Sequence, residues 1–364
     1  MKGIHLFVPM LHRHDAVGEH TRSLRDLLVA SGVPSRIYTE IPDPATIHET
    51  RPYREYEDDA EPGDILVYQF ATRSLMADWL TARDEPLVIN YHSITPPRYF
   101  EPWNNGIARL QVGAQHELAL MAPRAALGVA VSEFDAEELR QAGCARTTVI
   151  PVANVAVPPV EPDPVMLDRL RHQSRSGGAR WLSVGRLVPN KSHQHTIASL
   201  FVARASADPA ATLTIVGSPS ETSYAAALRR FAGSLGLADA VEFVSGLRDA
   251  ELAAFYCAAD VLVMLSEHEG FGVPLVEAMA HGLPIVAYDA GAVREVLDGA
   301  GVLLDHKGPR RVARAVADLT SNPAERERLV DAGHRRVAGM ELNEAGKLLV
   351  EAVQSVVGPR GIAG

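Results

Sequence analysis

Two glutamates eight residues apart, Glu269 and Glu277, bracket a glycine-rich turn in the run Glu269-Gly270-Phe271-Gly272-Val273-Pro274-Leu275-Val276-Glu277. A buried-strand pattern, 261–265, precedes the turn, and a helical pattern, 274–281, follows it. Pro274 suits the first helical position, and Gly282 is placed for a left-handed cap. Glycines ahead of a helix expose backbone N–H groups at the positive end of its dipole, which suits phosphate. Two carboxylates there would repel phosphate but readily accept hydrogen bonds from hydroxyls, such as those of a sugar or a ribose. The pattern places Glu269 on the loop and Glu277 in the first helical turn. Spacing alone leaves equal room for a blander arrangement, with Glu277 complementing the dipole and Glu269 merely solvated.

A second loop, Ser183-Val184-Gly185-Arg186-Leu187-Val188-Pro189-Asn190-Lys191, follows another strand pattern and carries two cations. Gly185 lets the backbone run close to a ligand, and Arg186 with Lys191 would stabilise charge developing on a leaving diphosphate. An isolated Arg–Lys pair on a surface loop is more often just solvated.

In the first half, His92 directly follows the strand pattern 87–91 and would project beyond its carboxyl end. As a lone histidine, it is more often a satisfied loop or core residue. His12, His14 and His20 match no compact ligand spacing and have no cysteine nearby, so no metal site is assigned. Gly18 is expected to open a helix starting near Glu19, by a close backbone approach.

These residues need a scaffold that gathers strand ends. Apolar β-rich runs at 3–8, 64–70, 87–91 and 127–132 alternate with helical stretches at 20–30 and 107–121. A second series runs 180–184, 212–216, 241–244, 261–265, 285–288 and 302–304, with helices at 223–235, 249–258 and 274–281. Such alternation predicts α/β architecture with two doubly wound, Rossmann-like domains. The segment Pro151–Pro164 has five prolines in fourteen residues and reads as a stiff hinge. The domains are therefore set at 1–157 and 158–340, followed by an amphipathic helix within 341–364. Periodicity leaves open whether that helix packs on its own domain or back on the first. Two such domains facing each other across a cleft would bind ligands at the carboxyl ends of their strands.

Composition narrows the function classes. The 364 residues carry a net charge of −10, which argues against broad capture of nucleic acid. Two cysteines, Cys144 and Cys257, make no disulfide framework and fit a cytoplasmic location. No apolar run reaches the roughly 18 residues needed to span a bilayer, and the N-terminal run is too short for a signal-peptide core.

The run from Glu269 to Glu277, continued by Ala278-Met279, resembles the Glu–seven residues–Glu signature of retaining glycosyltransferases of family 4, which have the GT-B fold. Gly185-Arg186-Leu187 with Lys191 five residues after the arginine resembles the same family's donor-pyrophosphate motif. The resemblance implies that Glu269 binds donor-sugar hydroxyls and Glu277 the ribose. It also implies that Gly185, Arg186 and Lys191, with the backbone of Gly270, Phe271, Gly272 and Val273, meet the diphosphate. His92 is similar to the first-domain histidine beside the anomeric carbon, and Gly18 to one glycine of that domain's glycine-rich loop. The loop ending at Leu247 and Arg248 resembles the nucleobase loop. Asp289–Glu295 resembles a segment near the sugar or its diphosphate. Ser192 and Ser93 depart from the pattern, standing where glycine and asparagine are common.

The function so implied is retaining transfer of a hexosyl group from a UDP- or GDP-hexose to an acceptor hydroxyl. A front-face, metal-independent and cofactor-free mechanism is expected, with His92, Glu269, Arg186 and Lys191 as its catalytic groups. Alternatives are a nucleotide-sugar epimerase of the same architecture and an inactive sugar-nucleotide sensor. Peripheral membrane contact stays open, and the acceptor and oligomeric state are not readable.

Overall fold

A computed structural model describes residues 3–12, 16–152, 159–173, 177–340 and 344–357. The chain divides into two compact units: 1–98 with 105–154 and 341–364, and 99–104 with 155–340. The core of the expected hinge, 153–158, lies outside the described residues, as does His14.

The first unit holds seven parallel strands: β1 (Ile4–Val8), β2 (Ile37–Thr39), β3 (Thr50–Pro52), β4 (Ile65–Phe70), β5 (Leu87–Tyr91), β6 (Leu127–Ala130) and β7 (Thr147–Val149). Their order is β3-β2-β1-β4-β5-β6-β7. The inner strands β1, β4, β5 and β6 are buried at every position, as apolar runs with helices on both faces must be. The sequence reading lacks β2, β3 and β7. Each has only three residues, too few to show a period, and β3 and β7 are edge strands.

The helix Ala345–Gln354 completes this unit. Its Ala345, Leu349, Val350 and Val353 share one apolar cluster with Ile4, Leu6 and Val8 of β1. Gly346 makes the approach possible, because a Cβ there would lie 2.2 Å from Leu27 Cδ1.

The second unit holds six parallel strands: β8 (Arg180–Val184), β9 (Thr212–Val216), β10 (Val241–Val244), β11 (Val261–Met264), β12 (Ile285–Tyr288) and β13 (Val302–Leu304). Their order is β10-β9-β8-β11-β12-β13. The direction of winding reverses between β8 and β11, and β1 and β4 form the equivalent point in the first sheet. Loops leaving the carboxyl ends of strands at such a reversal diverge and open a crevice. The basic loop follows β8 and the Glu269 loop follows β11, so the topology places both at one reversal point.

Candidate functional site

Past β8, Pro189–Lys191 form a single helical turn, and Ser192 then takes a left-handed conformation, φ 55°, to start the helix His193–Ser206. This is the position where glycine is common in the resembled motif, and the backbone explains that preference. The two loops are joined at Asn190: Glu267 N–H donates to its backbone O at 2.8 Å, and its side-chain Nδ2 donates to His268 O at 3.2 Å. Lys191 Nζ consequently meets both carboxylate oxygens of Glu269, at 2.6 and 2.8 Å. The Glu269 side chain is only 6% exposed and that of Lys191 17%. In this state the expected sugar-binding acid and the expected diphosphate-binding cation neutralise each other. Arg186 is exposed and makes no ion pair among the described residues.

Several positioning groups were not singled out from the sequence. The buried His193 ring accepts from Ser183 Oγ at 3.2 Å and donates from Nε2 to the Arg186 carbonyl at 3.3 Å. Burial pulls its pKa down to about 4, so it acts as a neutral tie on the basic loop. Gly217, after β9, presses on the same loop: a Cβ there would sit 1.9 Å from Gly185 O. Gly291, φ 59°, does the equivalent for the acidic loop, where a Cβ would meet Glu269 O at 2.2 Å. The neighbouring Ala292 N–H donates to that same oxygen at 2.9 Å. Thus the Asp289–Glu295 segment grips the Glu269 backbone.

Gly272, φ 90°, caps the helix Val273–Ala280 with no side-chain acceptor; Pro274 has no N–H and the Leu275 N–H donates to Gly272 O at 2.8 Å, so Val273 is the first-turn residue whose N–H can meet an anion. Gly282, φ 66°, ends that helix as expected. Glu277 corrects the sequence reading: the helix begins at Val273, so Glu277 falls in its second turn. There it accepts from the buried Tyr256 hydroxyl at 2.6 Å, and burial raises its pKa to about 7. It is therefore no dipole-complementing surface acid. Gly270 and Val273 are half-buried, Phe271 is buried, and Leu247 is half-buried past the outermost strand β10.

In the first unit, His92 N–H donates to Phe70 O at 2.9 Å, fixing the residue past β5 beside the end of β4. Its Nε2 lies 2.8 Å from Gln69 Oε1, which also accepts from Asn90 Nδ2 at 2.9 Å. Asn90 Nδ2 reaches His20 Nε2 at 2.9 Å, and the two histidine rings meet edge-on at 5.4 Å. Burial, then the neighbouring His20, lowers the His92 pKa to about 3, and burial alone holds His20 near 4. Both rings are neutral near pH 7. Gly18 does not open its helix, because Ala16–Ala30 already includes it. Its close approach is to the His12 carbonyl, 2.6 Å from where a Cβ would lie. His12 pairs with Asp43 at 2.9 Å and His20 with Asn90, so these two histidines have separate partners.

Two Rossmann-like parallel sheets, each with polar groups gathered where its winding reverses, make a two-domain α/β fold of the GT-B type. More particularly, residues 168–336 match the family described as glycosyl transferases group 1. A GDP-mannose-dependent alpha-(1-6)-phosphatidylinositol monomannoside mannosyltransferase of Mycobacterium tuberculosis is 33% identical over 168 residues, 43% of each chain. A D-inositol 3-phosphate glycosyltransferase of Thermomonospora curvata is 37% identical over 172 residues, 44% of this chain and 39% of that one. The chain thus matches about two fifths of the length of these curated relatives. Among solved structures, Anabaena Alr3699/HepE in complex with UDP-glucose superposes with a TM-score of 0.74 at 20% identity, covering 97% of this chain and 99% of that one.

Proposed function

We propose that the chain is a retaining hexosyltransferase that moves a sugar from a nucleoside diphosphate to an acceptor hydroxyl. The observation that carries this reading is the Lys191–Glu269 pair at the β8/β11 reversal, beside a helix start left uncapped by side chains. A diphosphate would draw on Lys191, Arg186 and the Val273 N–H that follows Gly272. Glu269, relieved of its partner, would accept from sugar hydroxyls, and Glu277 from the ribose. As the bond from the anomeric carbon to the diphosphate oxygen breaks, the acceptor oxygen bonds to that carbon on the same face. The acceptor proton passes to the departing phosphate oxygen. The cations and helix dipole supply the charge stabilisation, so the step needs neither metal ion nor cofactor. His92, neutral, acts on the sugar as its carbon becomes positive. We place this reaction in the cytoplasm.

The relatives' names make GDP-mannose the first donor to test, and UDP-glucose the second. The test is thermal unfolding with UDP-, GDP- and ADP-sugars, followed by transfer assays with the donor that protects. A donor at a hundred times its Kd raises stability by about 2.7 kcal/mol. Protection by no nucleotide sugar would overturn the reading. Interconversion of sugars without net nucleotide release would replace it with epimerisation. Loss of turnover with chelator, restored by magnesium or manganese, would overturn the metal-free step.

A further inference from the structure

Lys307, in the loop past β13, has no counterpart among the residues that spacing or resemblance singled out. Its ammonium donates to Ser192 Oγ at 3.1 Å and forms a close ion pair with Glu267. It also lies 5.3 Å from the Tyr288 ring centroid, and its side chain is only 14% exposed. One cation therefore ties both site loops: the turn that ends in Lys191–Ser192, and the loop that carries Glu267 to Glu269.

The contact with Ser192 is the informative one. A non-glycine residue at φ 55° is strained by its Cβ against the backbone, and serine has no means of its own to relieve that. A charge-assisted hydrogen bond to the hydroxyl offsets the strain. Glu267, two residues before Glu269, pairs with Lys307 while Glu269 pairs with Lys191, so the acidic loop is held to the basic turn at two points.

We infer that Lys307 is a positioning residue, holding the left-handed turn at Ser192 against the Glu267 loop so that Lys191 is set against Glu269. This rests on the glycosyl-transfer reading, in which Lys191 meets the donor diphosphate. In it, this chain replaces a glycine's backbone freedom with a serine–lysine contact.

The test is a double-mutant cycle read by two measurements, calorimetric binding of GDP or UDP and denaturant unfolding without nucleotide. Lys307→Met should weaken binding of the preferred nucleotide by about tenfold, the scale of one hydrogen bond to a charged group. Ser192→Ala should weaken it similarly. Adding Ser192→Ala to Lys307→Met should cost little more, because the shared contact is already gone. Adding Ser192→Gly instead should restore most of the affinity, since glycine needs no support at this φ. General damage to the unit would not be repaired by that exchange. A Lys307→Met chain that binds like wild type, or one that Ser192→Gly fails to restore, overturns the inference. So does additive behaviour of positions 192 and 307 in unfolding. If the wild-type chain binds no nucleoside diphosphate, the glycosyl-transfer reading falls and this role with it, whereas a null cycle removes this role alone.

Discussion

At the ends of β8 and β11 the polar groups are charged and paired, whereas at the ends of β4 and β5 they are neutral and linked in a chain. Lys191–Glu269 and Lys307–Glu267 bring ions out of water and satisfy them with each other. His92, Gln69, Asn90 and His20 avoid that cost by carrying no charge, with both imidazole pKa values pushed well below neutrality. The first arrangement can exchange one ionic partner for another and so suits a charged ligand. The second presents a fixed neutral ring and suits orientation rather than capture.

Breaking the charged region should have the largest effect. Lys191→Ala leaves a carboxylate unpaired at 6% exposure. Turnover should fall about a thousandfold, the scale of losing a principal stabiliser of developing charge. The fold should lose about 3 kcal/mol, the low end for stranding a buried partner. Lys191→Met combined with Glu269→Gln removes both charges and should unfold at higher denaturant than Lys191→Ala alone. If the single variant is the more stable one, the pair does not carry the burial cost assigned to it.

The neutral region should respond differently. His92→Ala ought to cut turnover about a hundredfold while leaving nucleotide affinity nearly unchanged, since the proposed step has it act on the sugar as charge develops. Steady-state kinetics beside calorimetry of the free nucleotide separate the two effects. Near-normal turnover would make His92 an ordinary loop histidine. Lost nucleotide binding would erase the contrast between the regions.

Legibility in the sequence follows the same division. The charged region was readable because Arg186–Lys191 and Glu269–Glu277 are contiguous motifs on loops that leave recognisable strands. Longer strands are legible to within a residue or two, since β4, β5 and β8 are mostly apolar runs whose polar positions, Gln69, Asn90, Arg180 and Ser183, are few. The network around His92 draws on residues separated by 21 and 70 positions, and no local pattern links Gln69 or His20 to Asn90. Lys307 is 115 residues from Ser192. Pro274 signals a helix start one residue later than the actual one at Val273, which moves Glu277 from the first turn to the second, and the depth of burial beside Tyr256 has no signal in spacing.

Gly291 tests whether the acidic loop depends on backbone shape as well as charge. Gly291→Ala places a Cβ 2.2 Å from Glu269 O at φ 59°, so both strain and collision oppose it. Gly299→Ala, at φ 83° with nothing within 4 Å, carries strain alone. The first should lose about 2–3 kcal/mol of stability and about tenfold in turnover, and the second about 1 kcal/mol with turnover intact. Equal turnover in the two variants would show that the Glu269 backbone needs no such clamp.

Glu277 offers the smallest and sharpest comparison, because it is an acid in the charged region that burial drives toward the neutral form. Its pKa rises from the ordinary 4.5 to about 7 in the folded chain, despite the Tyr256 hydroxyl, which favours the ion. Between those values the native state holds a proton that the unfolded chain releases, so this group's contribution to stability is complete below pH 4.5 and declines as pH rises through 7. Glu277→Gln keeps the shape without the titration. The variant's melting temperature relative to wild type should therefore climb by a few degrees from pH 5 to pH 8. The proposed ribose contact would reverse the preference: a ribose hydroxyl donating to the carboxylate favours the ion, so nucleotide binding should expel the proton below pH 7. Wild-type affinity should then rise with pH up to about 7 more steeply than that of Glu277→Gln, a difference from which the nucleotide's own phosphate titration cancels. Parallel affinity profiles would show that Glu277 does not meet the ribose, and parallel melting profiles that it is not held protonated by the fold.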